Sequence, residues 1–110
     1  MIHVQKMREI KKYLMSGLSF IRIGIHTKGR LIKRGYTKKD IISCICNGSI
    51  TEIQHGYNHQ VQKVCPTYVI EGKDAFANPI VVVISEESKR EFSVVTVMPP
   101  IDKKRFKETI

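Results

Sequence analysis

The hydrophobic pattern divides the chain into a helical first half and an extended second half. Apolar residues recur at helical spacing over residues 3–15, where Val4, Met7 and Leu14 share one face. Apolar and polar residues alternate over residues 18–25, which predicts a half-buried strand. Helical spacing returns over residues 26–34 and 38–47, so two further helices are predicted.

Local signals mark the ends of these helices. Ser16-Gly17, Gly35 and Asn47-Gly48 supply the glycine that commonly follows a helix. Thr37 and Asp40 have the spacing of a capping box at the start of the third helix. The buried stripe of that helix is predicted to consist of Ile41, Ile42, Ile45 and Cys46.

The second half of the sequence predicts four strands. They span residues 49–55, 67–71, 80–84 and 92–97, with turns predicted at 56–60, 72–74 and 86–91. Pro99-Pro100 ends the last strand, and residues 101–110 form either a short terminal helix or a frayed tail. Short gaps favour antiparallel hairpins. We therefore expect one α+β domain over residues 1–110, with N-terminal helices on one side of a mainly antiparallel sheet of four to five strands.

Charge is concentrated at one end of the chain. Residues 1–40 carry eleven Lys and Arg against two acidic residues, an excess equal to the whole net charge of +9. The remaining residues carry eight basic and eight acidic side chains. Such asymmetry favours a polyanionic partner over a merely soluble basic surface. The first segment has no signal-peptide pattern and no apolar run could span a bilayer, so we expect a cytoplasmic protein without a membrane partner.

The predicted second helix places an imidazole and three cations on one face. The face consists of His26, Arg30, Lys33 and Arg34. Leu31 and Ile32 are expected to point away from it and to anchor the helix to the core.

This face suits RNA chemistry without a metal. Arginine holds two phosphate oxygens and stays charged, while histidine can act as general acid or base. His26, Arg30 and Arg34 are therefore candidate catalytic residues. The residue types leave two alternatives open: phosphate contact without chemistry, or a solvated basic surface whose arginines pair with carboxylates of the sheet.

Other residues are candidates for binding. Lysines in and after the second helix are expected to contact phosphates, namely Lys28, Lys33, Lys38 and Lys39. Tyr57, Tyr68 and Phe92 are candidates for stacking on RNA bases, although packing is the commoner role of such residues.

The cysteines and histidines do not predict a metal site. His55 and His59 have a usable spacing for zinc, but Cys44 and Cys46 diverge on a helix and no C-x-x-C is present. We expect no metal, no cofactor and no disulfide, because an odd number of cysteines without an export signal fits reduced thiols.

The block H-T-K-G-R-L-I-K-R-G-Y-T-K-K-D over residues 26–40 resembles the signature of a bacterial family of unknown function, roughly H-A-x-x-R-M-x-x-R-G-[IV]-[ST]-x-x-[DE]. Residues 48–52, 66–72, 81–83 and 94–97 resemble its later strands. The resemblance covers about residues 22–100 and leaves out the first helix and the tail. That family is similar to the RelE/BrnT-like toxins, small basic α+β domains that cleave RNA, often on the ribosome.

The resemblance implies a RelE-like fold and a toxin of a type II toxin–antitoxin system. It implies that His26, Arg30 and Arg34 border the RNA surface and that Thr96 faces it. The partners would be RNA, the ribosome in some cases, and a cognate antitoxin, in several relatives one with a zinc finger. A homo-oligomer is also compatible with the sequence. Two departures are present: Thr27 replaces alanine, and Met98 replaces an aromatic residue that could stack or act as an acid.

The first hypothesis is thus a metal-independent endoribonuclease. The alternative is a non-catalytic module of the same fold that binds nucleic acid or protein. A third class, an accessory interaction domain without a nucleic-acid role, predicts no binding to polyanions at physiological salt.

Overall fold

The computed structural model describes residues 2–16, 20–88 and 91–100. These residues form three helices and a five-stranded sheet, joined by turns and loops. The elements in chain order are α1 (Ile2–Ser16), β1 (Phe20–Arg22), α2 (Ile25–Arg34), α3 (Lys38–Asn47), β2 (Ser49–Asn58), β3 (Lys63–Lys73), β4 (Pro79–Ser88) and β5 (Glu91–Met98). The predicted α+β class is confirmed.

The sheet has the order β1-β5-β4-β3-β2. Strands β2 to β5 form consecutive antiparallel pairs, in register at Tyr68 with Ile84 and at Val82 with Val97. β1 is parallel to β5 and pairs with only its first three residues. The sheet is therefore mainly antiparallel, as the short gaps between the strands predict.

The main core lies between the sheet and the helices. α3 packs against β3 and β4, and α1 packs against β2. The core consists of buried apolar residues from every helix and strand: Met7, Ile10, Ile21, Leu31, Ile41, Cys44, Ile45, Ile50, Tyr68, Ile70, Ile80, Val82, Ile84, Phe92, Val94 and Val97. We call this side of the sheet the helix-facing side and the opposite side the second face.

Local capping determines how α2 and α3 are joined. Gly35 has φ 80° and donates its N–H to the Ile32 carbonyl, as the predicted glycine stop requires. The Thr37 hydroxyl accepts from the N–H of Asp40, and the Asp40 carboxylate accepts from the N–H of Thr37. Both halves of the predicted capping box are present. Asp40 also accepts from the N–H of Ala75, which ties the start of α3 to the β3–β4 turn.

Four predicted strand boundaries are wrong by three residues or more, among them the start of β3, which lies at Lys63 rather than at residue 67. β1 ends at Arg22, because Gly24 is already the N-cap of α2 and accepts the first helical hydrogen bond from Lys28. β2 continues through residues 56–58, which were predicted as a turn, because β3 is long enough to pair with them as far as Asn58 and Lys63. β4 continues through residues 86–88, because the carboxylates of Glu86 and Glu87 find partners within the fold.

Two predicted buried stripes need correction. In α3 the buried residues are Ile41, Cys44 and Ile45, whereas Ile42 and Cys46 are exposed. In α2 only Leu31 reaches the core, and Ile32 keeps 69% of its surface exposed. Both errors arise because consecutive residues point about 100° apart around a helix, so the core covers Leu31 or Ile41 and leaves the next residue exposed.

Some predictions fall outside the described residues. These are the helix stop at Gly17, the start of the first strand at 18–19, the part of the charged turn at 89–90 and the tail 101–110.

Candidate functional site

The second face of the sheet combines a small apolar cluster with polar residues. Val69, Val81, Val83 and Met98 form the cluster and are buried. Farther along the same strands the residues on this face are polar. Thr67 of β3 pairs with Ser85 of β4, which pairs in turn with Ser93 of β5. The strands thus carry aliphatic side chains on their helix-facing side and hydrogen-bonding groups on this part of the second face.

A groove of about 500 Å³ crosses the polar part of the second face. We call it the second-face groove. It runs from Thr27 in the first turn of α2, across β5, β4 and β3, to the last residues of β2. It is lined by Thr27, Gln54, His55, Gly56, Tyr57, Asn58, His59, Gln60, Thr67, Val83, Ser85, Ser93 and Val95.

A partly buried ion pair supports the groove. The Arg22 guanidinium donates to the Glu87 carboxylate, which also accepts from Asn58 Nδ2 at 2.9 Å. Burial alone would raise the pKa of Glu87, but the hydrogen bonds from Arg22, Asn58 and Ser93 and the charge of Arg22 outweigh it and lower that pKa. Glu87 is therefore a charged, fully engaged carboxylate. It is a structural group rather than a free general base.

Asn58 connects this ion pair to the β2–β3 turn. Its Nδ2 also donates to Ser85 Oγ at 3.1 Å, while its Oδ1 accepts from the N–H groups of Gln60 and Val61. These bonds hold the turn that carries His59. The His59 ring meets the Tyr57 ring edge-on, with 4.8 Å between centroids. An imidazole and a phenol are thus held together at one end of the groove.

The basic helix α2 lies at the other end. Lys28, Arg30 and Lys33 are exposed, and the ion pairs within the described ranges involve Lys6 and Arg22 rather than these three cations. His26 lies in the first turn of α2, but its side chain is outside the described part of the structure. Lys38 and Lys39 are exposed in the first turn of α3.

Arg34 differs from the other cations of α2. Its guanidinium donates to the backbone carbonyl of Val97 in β5 at 2.8 Å. β1 pairs only with residues 91–93 of β5, so the later part of that edge has no strand partner within the described part of the chain. Arg34 therefore satisfies an edge carbonyl and fastens α2 beside β5.

Tyr68 lies on the helix-facing side, opposite the groove. It is 3% exposed, and its hydroxyl donates to Glu86. Burial, followed by the hydrogen bond and charge of Glu86, raises its pKa. Lys6 of α1 lies 5.9 Å from the ring centroid and 3.5 Å from the Glu86 carboxylate. These contacts make Tyr68 an anchor for α1, and its buried ring cannot stack on a base.

The remaining predicted residues are placed as follows. Thr96 is half-buried and pairs with Val83, so it lies on the second face. Met98 belongs to the apolar cluster and is 6% exposed. The cysteines are free thiols, and burial raises the pKa of Cys44 to about 12. Among the described residues no group of three or more His, Cys, Asp or Glu could hold a metal ion.

Sequence reasoning did not assign His55 and His59 to this groove, because it considered them only as zinc ligands. A readable signal was present. Gln54, Gly56 and Asn58 continue the period of two beyond the apolar part of β2, which indicates a strand with a polar face. The residues that complete the face, Ser85 and Ser93, are distant in sequence and join it only through strand pairing.

The fold and the groove define a small basic α+β domain with a polar cleft across its sheet. The chain belongs to the family described as a domain of unknown function (DUF4258), whose model matches residues 25–99. Comparisons with curated proteins and with solved structures found no match. In the described part of the chain, every helix is too short or too polar to cross a membrane.

Proposed function

We propose that this protein is a metal-independent endoribonuclease, similar to RelE-like toxins, that acts in the cytoplasm as the toxin of a type II toxin–antitoxin system. The observation that carries the proposal is the position of the second-face groove. It has His55 and His59 at one end, and at the other it reaches Thr27 of α2, a helix whose Lys28, Arg30 and Lys33 are exposed and have no ion pair among the described residues. RNA cleavage needs this combination of acid–base groups and positive charge.

The proposed roles follow from these positions. Arg30, Lys28 and Lys33 attract and hold the phosphate backbone, because their charges are exposed and unpaired within the described residues. His55 or His59 transfers a proton, and His26 stays a candidate for the second transfer from the first turn of α2. Attack of the RNA 2′-hydroxyl on the adjacent phosphate needs no bound metal.

The test is cleavage of single-stranded RNA, with and without translating ribosomes, in the presence of EDTA. Wild-type protein should produce fragments. His55→Ala, His59→Ala and His26→Ala are compared with His3→Ala, an exposed histidine of α1 outside the groove. Loss of the true acid or base should slow cleavage about 10²-fold or more, and His3→Ala should match the wild type. Equal activity in all four variants would contradict the proposal.

A second candidate is a non-catalytic nucleic-acid-binding module of the same fold. Two observations favour it: Arg34 is engaged with the Val97 carbonyl, and Met98 places an aliphatic thioether in an apolar cluster. This candidate predicts salt-dependent RNA binding without any product. Removing one phosphate contact with Arg30→Ala should reduce the salt slope by about 0.7 for single-stranded RNA.

Growth on induction separates the toxin role from simple binding. Expression of the wild-type chain should arrest growth, and co-expression of an antitoxin, such as one with a zinc finger, should relieve the arrest. Arrest that persists in a variant without measurable cleavage would disconnect toxicity from RNA hydrolysis.

A further inference from the structure

A second cavity of about 440 Å³ lies on another side of α2, between that helix, the end of β1 and the start of α3. We call it the α2–α3 groove. Ile21 and Leu31 are buried at its base, and Ile23 and Tyr36 are half-buried. Its lining therefore differs from the polar lining of the second-face groove.

The rim of this groove is apolar and exposed. Ile32 lines it with 69% of its surface exposed, and Ile25, seven residues earlier on the same side of α2, is 88% exposed. An exposed isoleucine on a helix contributes nothing to solubility, and here Ile25, the first residue of α2, and Ile32 continue the apolar surface of the groove. The two isoleucines extend the apolar surface beyond the cavity itself, which favours an extended partner over a small molecule.

Cations stand beside this apolar surface. Lys28 and Lys38 line the groove, and both are exposed without an ion pair in residues 2–16, 20–88 and 91–100. A partner that covers the isoleucines would bring its own flanking residues next to these two ammonium groups. Carboxylates at those positions would complement them.

We propose that the α2–α3 groove binds an acidic amphipathic helix of a partner protein. The apolar face of that helix covers Ile32 and Ile25, and its carboxylates pair with Lys28 and Lys38. A second copy of this chain does not fit, because the net charge of +9 makes two such surfaces repel. RNA is disfavoured here because the exposed rim is aliphatic and Tyr36, the aromatic residue of the lining, is half-buried, whereas Arg30 and Lys33 lie on a different side of α2.

This inference is independent of the proposed RNA cleavage. Arg30 and Lys33 belong to the proposed RNA surface alone, whereas Lys28 is assigned to both partners, so RNA and the acidic helix compete for Lys28. A failure of RNA cleavage leaves the groove and its exposed isoleucines unchanged.

The experiment measures fluorescence anisotropy with a labelled synthetic helix of about 18 residues, long enough to be helical in isolation. The peptide has leucine along one face and glutamate elsewhere. A scrambled peptide of the same composition keeps the charge but lacks the apolar face. The full-length protein should bind the amphipathic peptide at least about tenfold more tightly than the scrambled one, because only the first can bury the isoleucines.

Three variants locate the binding site. Ile32→Gln should weaken binding of the amphipathic peptide about tenfold. Lys28→Glu should also weaken peptide binding, and the loss of affinity should be larger at low salt than at high salt. Val64→Gln is the matched control, since Val64 is 61% exposed on β3 away from the groove, and it should bind like the wild type. Circular dichroism checks that each variant is folded.

Several outcomes would overturn the proposal. They are the absence of binding, equal affinity for the two peptides, and equal affinity of Ile32→Gln and wild type for the amphipathic peptide. A single-stranded RNA oligonucleotide is titrated in parallel. If Ile32→Gln weakens RNA binding and leaves peptide binding intact, the groove belongs to RNA and the inference is wrong.

Discussion

Arg34 provides a direct test of the difference between a structural and a catalytic cation. The sequence places it on one helical face with Arg30, and the structure shows its guanidinium bonded to the Val97 carbonyl at 2.8 Å. Arg34→Ala removes that bond and leaves an edge carbonyl of β5 without its protein donor. We expect the variant to be less stable and to bind RNA only slightly less tightly.

The magnitude follows from the type of bond. A hydrogen bond from a charged group contributes about 1.5–3 kcal/mol when it is buried. The Arg34 side chain belongs to an exposed residue, and water can replace the lost donor, so about 1 kcal/mol is the appropriate expectation. For a domain of this size, that loss lowers Tm by about 4–8 °C.

The assay is urea denaturation at neutral pH, followed by circular dichroism. With a typical m-value for a small domain, the midpoint of Arg34→Ala should fall by about 0.3–1 M. Arg30→Ala is the matched control, because it removes the same charge one helical turn earlier from an exposed side chain that forms no ion pair with the described residues. Its stability should change by less than about 0.5 kcal/mol.

RNA binding is measured on the same two variants. Arg30→Ala should lose more RNA affinity than Arg34→Ala. The order is the opposite for stability, where Arg34→Ala should lose more. If Arg34→Ala keeps the wild-type unfolding midpoint, or loses RNA affinity more than Arg30→Ala does, the structural role assigned to Arg34 is wrong.

Two further predictions concern packing and pH. Gly48→Ala should cost about 2–4 kcal/mol in thermal unfolding, because its Cβ would lie 2.5 Å from the backbone carbonyl oxygens of Cys44 and Glu71. Gly29→Ala is the control and should stabilise by about 0.5–1 kcal/mol, because its Cβ meets nothing within 4 Å in a helix; equal effects at the two glycines would refute the packing argument. The pKa of Glu87 is lowered from 4.5, so its contribution to stability is complete above that pH and is lost as pH falls below it. Unfolding measured from pH 7 to 3 should therefore show the gap between wild type and Glu87→Gln narrowing with acid, and a constant gap would contradict the ion pair's role.

The reliable sequence predictions concern signals that act within a few residues. The Thr37–Asp40 capping box and the Gly35 stop are examples, because their donors and acceptors lie within one helical turn. The apolar run of β4 is another, since five consecutive buried residues leave few alternatives to a central strand. The α+β class follows from the order of such elements.

The candidate site was only partly predictable. The basic character of α2 is explicit in its sequence, and the exposure of Lys28, Arg30 and Lys33 agrees with it. The second-face groove was missed, because it needs Thr27, residues 54–60, Ser85 and Ser93 to meet across four elements. Strand order and register bring them together, and neither is visible in the spacing along the chain.

Sequence alone determined the fold class, the helix ends at residues 35 and 37, and the concentration of positive charge in the first 40 residues. Tertiary structure alone decided which of those charges are free. Arg22 and Arg34 are used within the fold, by a carboxylate 65 residues away and a carbonyl 63 residues away, whereas Arg30 is exposed. The physical reason is that a cation's role depends on which polar group the fold brings within hydrogen-bond distance, and such partners are distant in sequence.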